Sequence, residues 1–317
     1  MDTTQQVKPP KEVVTVELMS KFVELMTEAK VNMFGSEIKS KMATLEATLE
    51  ARLNLLPQKH EIVVNNAPST EVEGITHEKF DEVMTYIANN EHVYLHGPAG
   101  SGKNVLAEQV ANALGLKFYS ASTLLQKYEL LGYGDAKGDY VMTSFYEAFA
   151  NGGLFFLDEF DGCSPEVSIA LNGALANGYL EFPVHGFTRA NENFHCIAAG
   201  NTVARGANEL YNGRFQLDAA TIDRFSFIEI DYYRPIELQC AGGNTELVDF
   251  IHEVRSICNR KGIQIVAGYR AIRKIAKFEN KLPLNKVLES NLWKGLDKED
   301  LTMIRESLSD SKYMEAM

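Results

Sequence analysis

Residues 92–104 read HVYLHGPAGSGKN, and the stretch that follows them is VLAEQVANALG. His92–His96 is a short apolar run with the pattern of a buried strand. Gly97 to Lys103 spell G-x-x-x-x-G-K, and the next residues have helical periodicity up to Gly115. A strand, a glycine-rich loop and a helix in that order form the context a phosphate-binding loop requires. The chemistry comes from the backbone. Small residues let the backbone of Gly97, Pro98, Ala99, Gly100, Ser101, Gly102, Lys103, Asn104 and Val105, which offers an N–H at every position but Pro98, approach an anion at the positive end of the helix. Lys103 adds a point charge for the outer phosphates. Asn104 departs from the pattern, because Ser or Thr commonly closes such a loop and its hydroxyl ligates Mg²⁺. An amide oxygen is also a hard donor, carried one bond further out.

The chain of 317 residues is long enough for one or two domains with an ample core. Its net charge of −12 argues against bulk electrostatic binding to DNA or RNA, while leaving room for a local basic pore. Cys163, Cys196, Cys240 and Cys258 have neither disulfide nor zinc spacing and read as reduced thiols. The opening MDTTQQVKPP has no apolar core, so no signal peptide is expected there, and no apolar run reaches membrane-spanning length. A cytoplasmic protein is the expectation.

Residues 11–57 are helix-like, with Ile38, Met42, Leu45, Leu49 and Leu56 at heptad-like spacing, Arg52 on the skipped seam position, and Gly35 as a bend. Two readings stay open there: a helix packed on its own domain, or an oligomerisation or docking arm. A polar linker around a short strand at Glu61–Val64 leads to a helix in ITHEKFDEVMTYIANN, with Thr76 as its cap. LKFYSAS reads as a second strand, and LLGYGDAKGDYVMTSF as a hairpin or loop inserted among helices. LFFLDEFD is a strand buried on both faces, ending in two carboxylates, Asp158 and Glu159. Asp158 is placed to orient Mg²⁺ or its water, and Glu159 to polarise an attacking water. Ser164-Pro165 opens a helix. YLEFPVHGFTRANENF pairs as a hairpin, and FHCIAAGN is another buried strand with the amide of Asn201 at its tip. A polar loop carrying Arg205 and Arg214 follows. LDAATIDRF reads as a helix presenting Arg224, and FSFIEIDY as a fifth strand. From Pro235 onward the pattern is helical, with Arg270 near the start of AGYRAIRKIAKFENK.

In their order, GPAGSGKN, LFFLDEFD, IAAGN and LDAATIDRF resemble an AAA+ ATPase, most closely the MoxR and CbbQ branch with its CobS-like and phage-encoded members. The resemblance covers roughly residues 74–300. It implies an α/β fold: an αβα P-loop core over residues 61–234 with a five-stranded parallel sheet in the order 5-1-4-3-2. A helical lid over 235–317 and an N-terminal helical extension over 1–60 complete the expectation. It implies ATP and Mg²⁺ as cofactors, bound between subunits of a ring, commonly a hexamer. Gly97–Asn104 then corresponds to the Walker A loop, Asp158 and Glu159 to Walker B, and Asn201 to the first sensor. Arg224 corresponds to the arginine finger reaching the neighbour's nucleotide, Arg214 is a second candidate in trans, and Arg270 is the second sensor. Asn104 and Asp158 are the implied metal ligands. The branch implies chaperone-like remodelling of a protein client, often a von Willebrand A-domain protein, in the cytoplasm (the host's, for a phage-encoded member). Two other classes stay open: a nucleic-acid motor or replication-type loader using Lys127, Lys137 and Arg189, and a nucleotide-gated scaffold, for which Asn104 is the support.

Overall fold

A computed structural model describes residues 74–207 and 210–317, together with Met42 and Val72. The chain divides into two units, Met1–Leu53 and Asn54–Met317, and the architecture that follows belongs to the second. The heptad-like segment of the N-terminal extension, apart from Met42, and the strand expected at Glu61–Val64 lie outside the described residues.

Five strands build one parallel sheet: β1 (Val93–His96), β2 (Phe118–Ser122), β5 (Gly153–Asp158), β8 (Phe194–Gly200) and β9 (Ser226–Glu229). Their spatial order is β2-β5-β8-β1-β9. Counted among themselves in chain order, they read 5-1-4-3-2 from the β9 edge, the order expected from the sequence. The sheet is buried because its strands alternate between two apolar layers. Tyr94, Phe155, Leu157, Cys196 and Ala198 enter one cluster, and Val93, Leu95, Leu154, Phe156, Ile197 and Ala199 the other. That two-residue period makes a continuous apolar run such as LFFL fit a strand covered on both faces.

Helices α1 (Phe80–Ala88) and α2 (Lys103–Ala113) cover one face through Val83, Ile87, Leu106 and Val110. The other face is covered by α4 (Ser144–Asn151) and α5 (Pro165–Asn177), through Phe145, Phe149, Val167 and Leu171. α1 starts later than Thr76 suggests: His77 Nδ1 accepts the Lys79 N–H at 3.1 Å, so the chain turns at His77 before the helix begins. Ser164 caps α5 as expected, its side chain accepting the Val167 N–H.

Two antiparallel ribbons stand outside the sheet. The inserted segment folds as a short helix α3 (Lys127–Leu131) followed by β3 (Tyr133–Gly134) paired with β4 (Tyr140–Val141). The second ribbon pairs β6 (Tyr179–Phe182) with β7 (Gly186–Arg189). The helix expected in LDAATIDRF is a single turn, α6 (Ala219–Ile222), capped by the Asp218 side chain, so Arg224 lies just beyond its end.

The C-terminal helices α7 (Arg234–Cys240), α8 (Thr245–Lys261), α9 (Tyr269–Phe278), α10 (Leu284–Asn291), α11 (Lys298–Arg305) and α12 (Lys312–Glu315) enclose a separate apolar cluster. Phe250, Trp293 and Tyr313 sit at its centre, Phe250 and Tyr313 stacked at 5.0 Å. Sequence reasoning missed α7 and α12, both too short to show a helical period. Among the described residues no helix is long and apolar enough to cross a membrane.

Candidate phosphate-binding and hydrolytic site

Parallel strands in one sheet end on the same edge, so the residues that follow them converge. Here the loop after β1, the carboxylates ending β5 and the tip of β8 meet in a cavity of about 200 Å³. Ala99 to Val105, Asp158, Glu159 and Asn201 line it, and the first turn of α9 closes one side with Tyr269, Arg270 and Arg273.

The loop is shaped by close backbone contact. At Gly97, φ is +150° and a Cβ would stand 2.1 Å from the Ile230 carbonyl oxygen, so no other residue fits there. Lys103, the first residue of α2, is buried with its ammonium turned back into the loop. Its Nζ donates to Gly97 O at 2.9 Å, Pro98 O at 3.1 Å and Asn201 Oδ1 at 3.2 Å. Burial lowers its pKa to about 8, against the attraction of Asp158 and Asp161. Burial likewise raises the pKa of Asp158. Ser101 Oγ is buried and has no hydrogen-bond partner among the described residues, leaving a hydroxyl within the loop.

Glu159 is held in an uncommon conformation. Its φ is +53°, in the left-handed region that non-glycine residues seldom adopt, and its N–H donates to Asp158 Oδ1 at 2.9 Å. Its Oε2 accepts from Thr123 Oγ1 at 3.0 Å, and Thr123 itself has φ +35°. Thr123 directly follows β2, so two strand ends are tied together at this carboxylate.

Asp161, fully buried, organises the other side. Its Oδ2 accepts the Asn201 N–H at 3.0 Å, the Thr202 N–H at 3.0 Å and the Thr202 hydroxyl at 2.9 Å. Asn201 is therefore aimed by its backbone, and its side-chain oxygen is left for Lys103.

The arginines separate. Arg270 lines the cavity, and Arg273, three residues further along α9, lines it as well. Arg214 was expected as a candidate to act on a neighbouring subunit. Its Nη1 lies 3.4 Å from Glu159 Oε2 and 3.5 Å from Asp161 Oδ1 of its own chain. Arg224 is exposed, does not line the cavity and has no ion-pair partner among the described residues. Asn104 is exposed on the cavity wall, on the same cavity as Asp158. Among the described residues no group of three or more His, Cys, Asp or Glu side chains could hold a metal by itself. One carboxylate and one amide oxygen beside a phosphate site nonetheless suit a hard cation that keeps waters and phosphate oxygens as its other ligands.

Sequence reasoning did not find Thr123, Asp161, Arg273, Tyr211 or Tyr232. Tyr211 accepts the Ala99 N–H at 2.9 Å, and Tyr232 donates to the Ala99 carbonyl at 3.0 Å, so both peptide groups of Ala99 are held by distant hydroxyls. Such contacts leave no local sequence signal.

Residues 92–225 match the family model described as "AAA domain (dynein-related subfamily)". The five-stranded parallel sheet with flanking helices is that of an AAA+ P-loop α/β fold. An uncharacterized protein of Staphylococcus epidermidis is 25% identical over 243 residues, covering 69% of this chain and 90% of that protein. YojN of Bacillus subtilis, also uncharacterized, is 31% identical over 168 residues, 49% of this chain and 52% of that protein. Among solved structures, NtrX from Brucella abortus aligns with a TM-score of 0.45 at 16% identity, over 92% of this chain and 59% of that one. A Thermotoga maritima RuvB mutant aligns with a TM-score of 0.43 at 15% identity, over 74% and 68% of the two chains.

Proposed function

We propose that the cavity binds ATP with Mg²⁺ and hydrolyses it, and that the protein works as a ring of identical subunits in the manner of the MoxR branch. The observation that carries this reading is the convergence of Lys103, Asp158, Glu159 and Asn201 on one cavity at the end of a parallel sheet. Phosphoryl transfer needs positioning and charge neutralisation more than covalent chemistry. The N–H groups of residues 100–105 cradle the phosphates. Lys103, freed from the loop carbonyls, neutralises the outer ones. Asp158 and Asn104 would hold Mg²⁺, which would supply charge neutralisation at the phosphates. Glu159 takes the proton from the attacking water while Asn201 orients it. Arg270 and Arg273 read the phosphates from the lid helix.

The exposed position of Arg224, away from its own cavity, supports a role as a finger donated to the next subunit. Hydrolysis then depends on assembly, and a hexamer is the proposed ring. The outer surface supports a protein client, a von Willebrand A-domain protein being the proposed kind of partner. Leu125, Tyr128, Tyr133, Met142, Val184 and Phe187 are exposed on the two ribbons and α3. The basic Lys127, Lys137 and Arg189 there are outnumbered by Glu129, Asp135, Asp139 and Glu181, a poor match for a phosphate backbone.

The direct test is Glu159→Gln. The variant is expected to bind ATP with affinity near the wild type and to lose at least about 100-fold in turnover. Unchanged turnover would remove Glu159 from the chemistry. ATPase activity stimulated by single-stranded DNA with steep salt dependence, and unaffected by unfolded polypeptide, would replace the protein client with a nucleic acid.

A further inference from the structure

The seat of Arg214 is built around it. The side chain is 13% exposed and its guanidinium lies between Glu159 and Asp161. Gly162 makes the space: a Cβ at that position would stand 2.5 Å from Arg214 Nη1. The next residue in the loop, Phe215, donates its N–H to Asp161 O at 2.7 Å, pinning the backbone beside Arg214. Three residues before Arg214, Tyr211 holds the Ala99 N–H of the phosphate loop. One loop therefore rests on both the phosphate loop and the acidic pair.

The consequences at Glu159 are specific. Arg214 and Thr123 both engage Oε2, so the carboxylate is fixed through one oxygen, and Glu159 lines the cavity. Asp161 meanwhile spends one oxygen on Arg214 and the other on the backbone and side chain at the β8 tip. Arg214 is the link that joins the orientation of Glu159 to that of Asn201.

We propose that Arg214 acts in cis as a positioning residue: held between Glu159 and Asp161 of its own chain, it sets the Glu159 carboxylate against the phosphate cavity in register with Asn201. The inference rests on the reading of that cavity as an ATP-hydrolysing site. It divides the labour between two arginines, Arg214 acting on its own subunit's site and Arg224 on the neighbour's.

The test uses the full-length protein. Arg214→Ala is expected to lower kcat by up to about 100-fold with less than about a threefold change in KM for ATP. Arg214→Lys restores part of kcat. Gly162→Ala, which keeps Arg214 but crowds its guanidinium, lowers kcat by a smaller amount, again with little change in KM. Adding Glu159→Gln subunits to Arg214→Ala subunits gives no recovery, since the defect stays within its own chain, whereas adding them to Arg224→Ala subunits does. Recovery in the Arg214→Ala mixture, or an unchanged kcat, overturns the proposal.

A second readout needs no turnover. In nucleotide-free protein, the melting-temperature losses of Arg214→Ala and Glu159→Ala are expected to be less than additive in the double variant, as for two partners of one pair. Strict additivity overturns the cis pairing. Absence of ATP hydrolysis at every concentration would instead sink the hydrolytic reading, leaving the melting cycle to decide the pairing.

Discussion

Lys103 Nζ donates to Asn201 Oδ1 at 3.2 Å, joining the phosphate loop to the tip of a strand 98 residues further along the chain. With the two loop carbonyls, this contact satisfies the ammonium in a place where burial strips its water. A polyphosphate would offer the same ammonium full negative charges, so binding has to turn Lys103 from the loop to the ligand.

A pH dependence follows. The Lys103 pKa lies at about 8, lowered by burial from an ordinary 10.5, so between those values the folded chain binds fewer protons than the unfolded one. Stability gains from this group as pH rises through that window. Nucleotide binding has the opposite preference, because phosphates favour the ammonium. The affinity for ATP is expected to be level below about pH 8 and to weaken above it, by at most about tenfold per unit. Binding above that pH takes up a proton, which calorimetry in buffers of different ionisation enthalpy reads directly. Lys103→Met removes the dependence together with most of the affinity. Affinity that stays level to pH 10 would mean that Lys103 does not meet the phosphates.

Gly97→Ala tests the loop's dependence on close packing. The added Cβ would stand 2.1 Å from the Ile230 carbonyl oxygen, a backbone atom that β9's end cannot easily move. The expected loss is at least ~3 kcal/mol of stability, seen by denaturant unfolding, with nucleotide binding lost even in the folded fraction. A variant as stable as the wild type would show that the loop and the end of β9 can separate.

The C-terminal helices are tied to the same loop. Glu237, fully buried, pairs with Arg255 at 2.6 Å and with His252. The Arg255 guanidinium stacks 3.7 Å from the centroid of Tyr232, whose hydroxyl donates to Ala99 O. Glu237→Ala strands Arg255 in a largely buried place. Loss of one partner of such a pair costs about 3–5 kcal/mol, and a fall of roughly 6 °C or more in melting temperature is expected. A fall under about 2 °C would show that the pair carries little of the stability of the C-terminal helices.

The fold was legible because its decisive features are local. The loop at 97–103 is a backbone motif with its chemistry written in consecutive residues, and LFFL and CIAA are apolar runs that only a doubly covered strand accommodates. The carboxylates of β5 and the amide of Asn201 could be placed because parallel strands deliver their ends to one edge. What was not legible is what crosses the fold. Thr123 lies 36 positions from Glu159, and its hydrogen bond depends on β2 lying beside β5. Asp161 carries no mark distinguishing it from an ordinary acidic turn until Asn201 and Thr202 fold onto it. Arg214 was a candidate in trans on the family resemblance alone, and the packing of its guanidinium against Gly162 and Asp161 appears only in three dimensions. Arg224, read as part of a helix, lies past a single turn because Asp218 caps a segment too short to continue.

The most direct measurement of the central claim is Mg²⁺-dependent ATP hydrolysis per subunit across a wide range of protein concentration, for the wild type and Arg224→Ala. A site completed by a neighbour predicts specific activity that rises cooperatively with wild-type concentration. Arg224→Ala should bind ATP nearly as well and stay about 10³-fold or more slower at every concentration. Specific activity independent of concentration, or undiminished turnover in Arg224→Ala, would contradict a hydrolytic site shared between subunits.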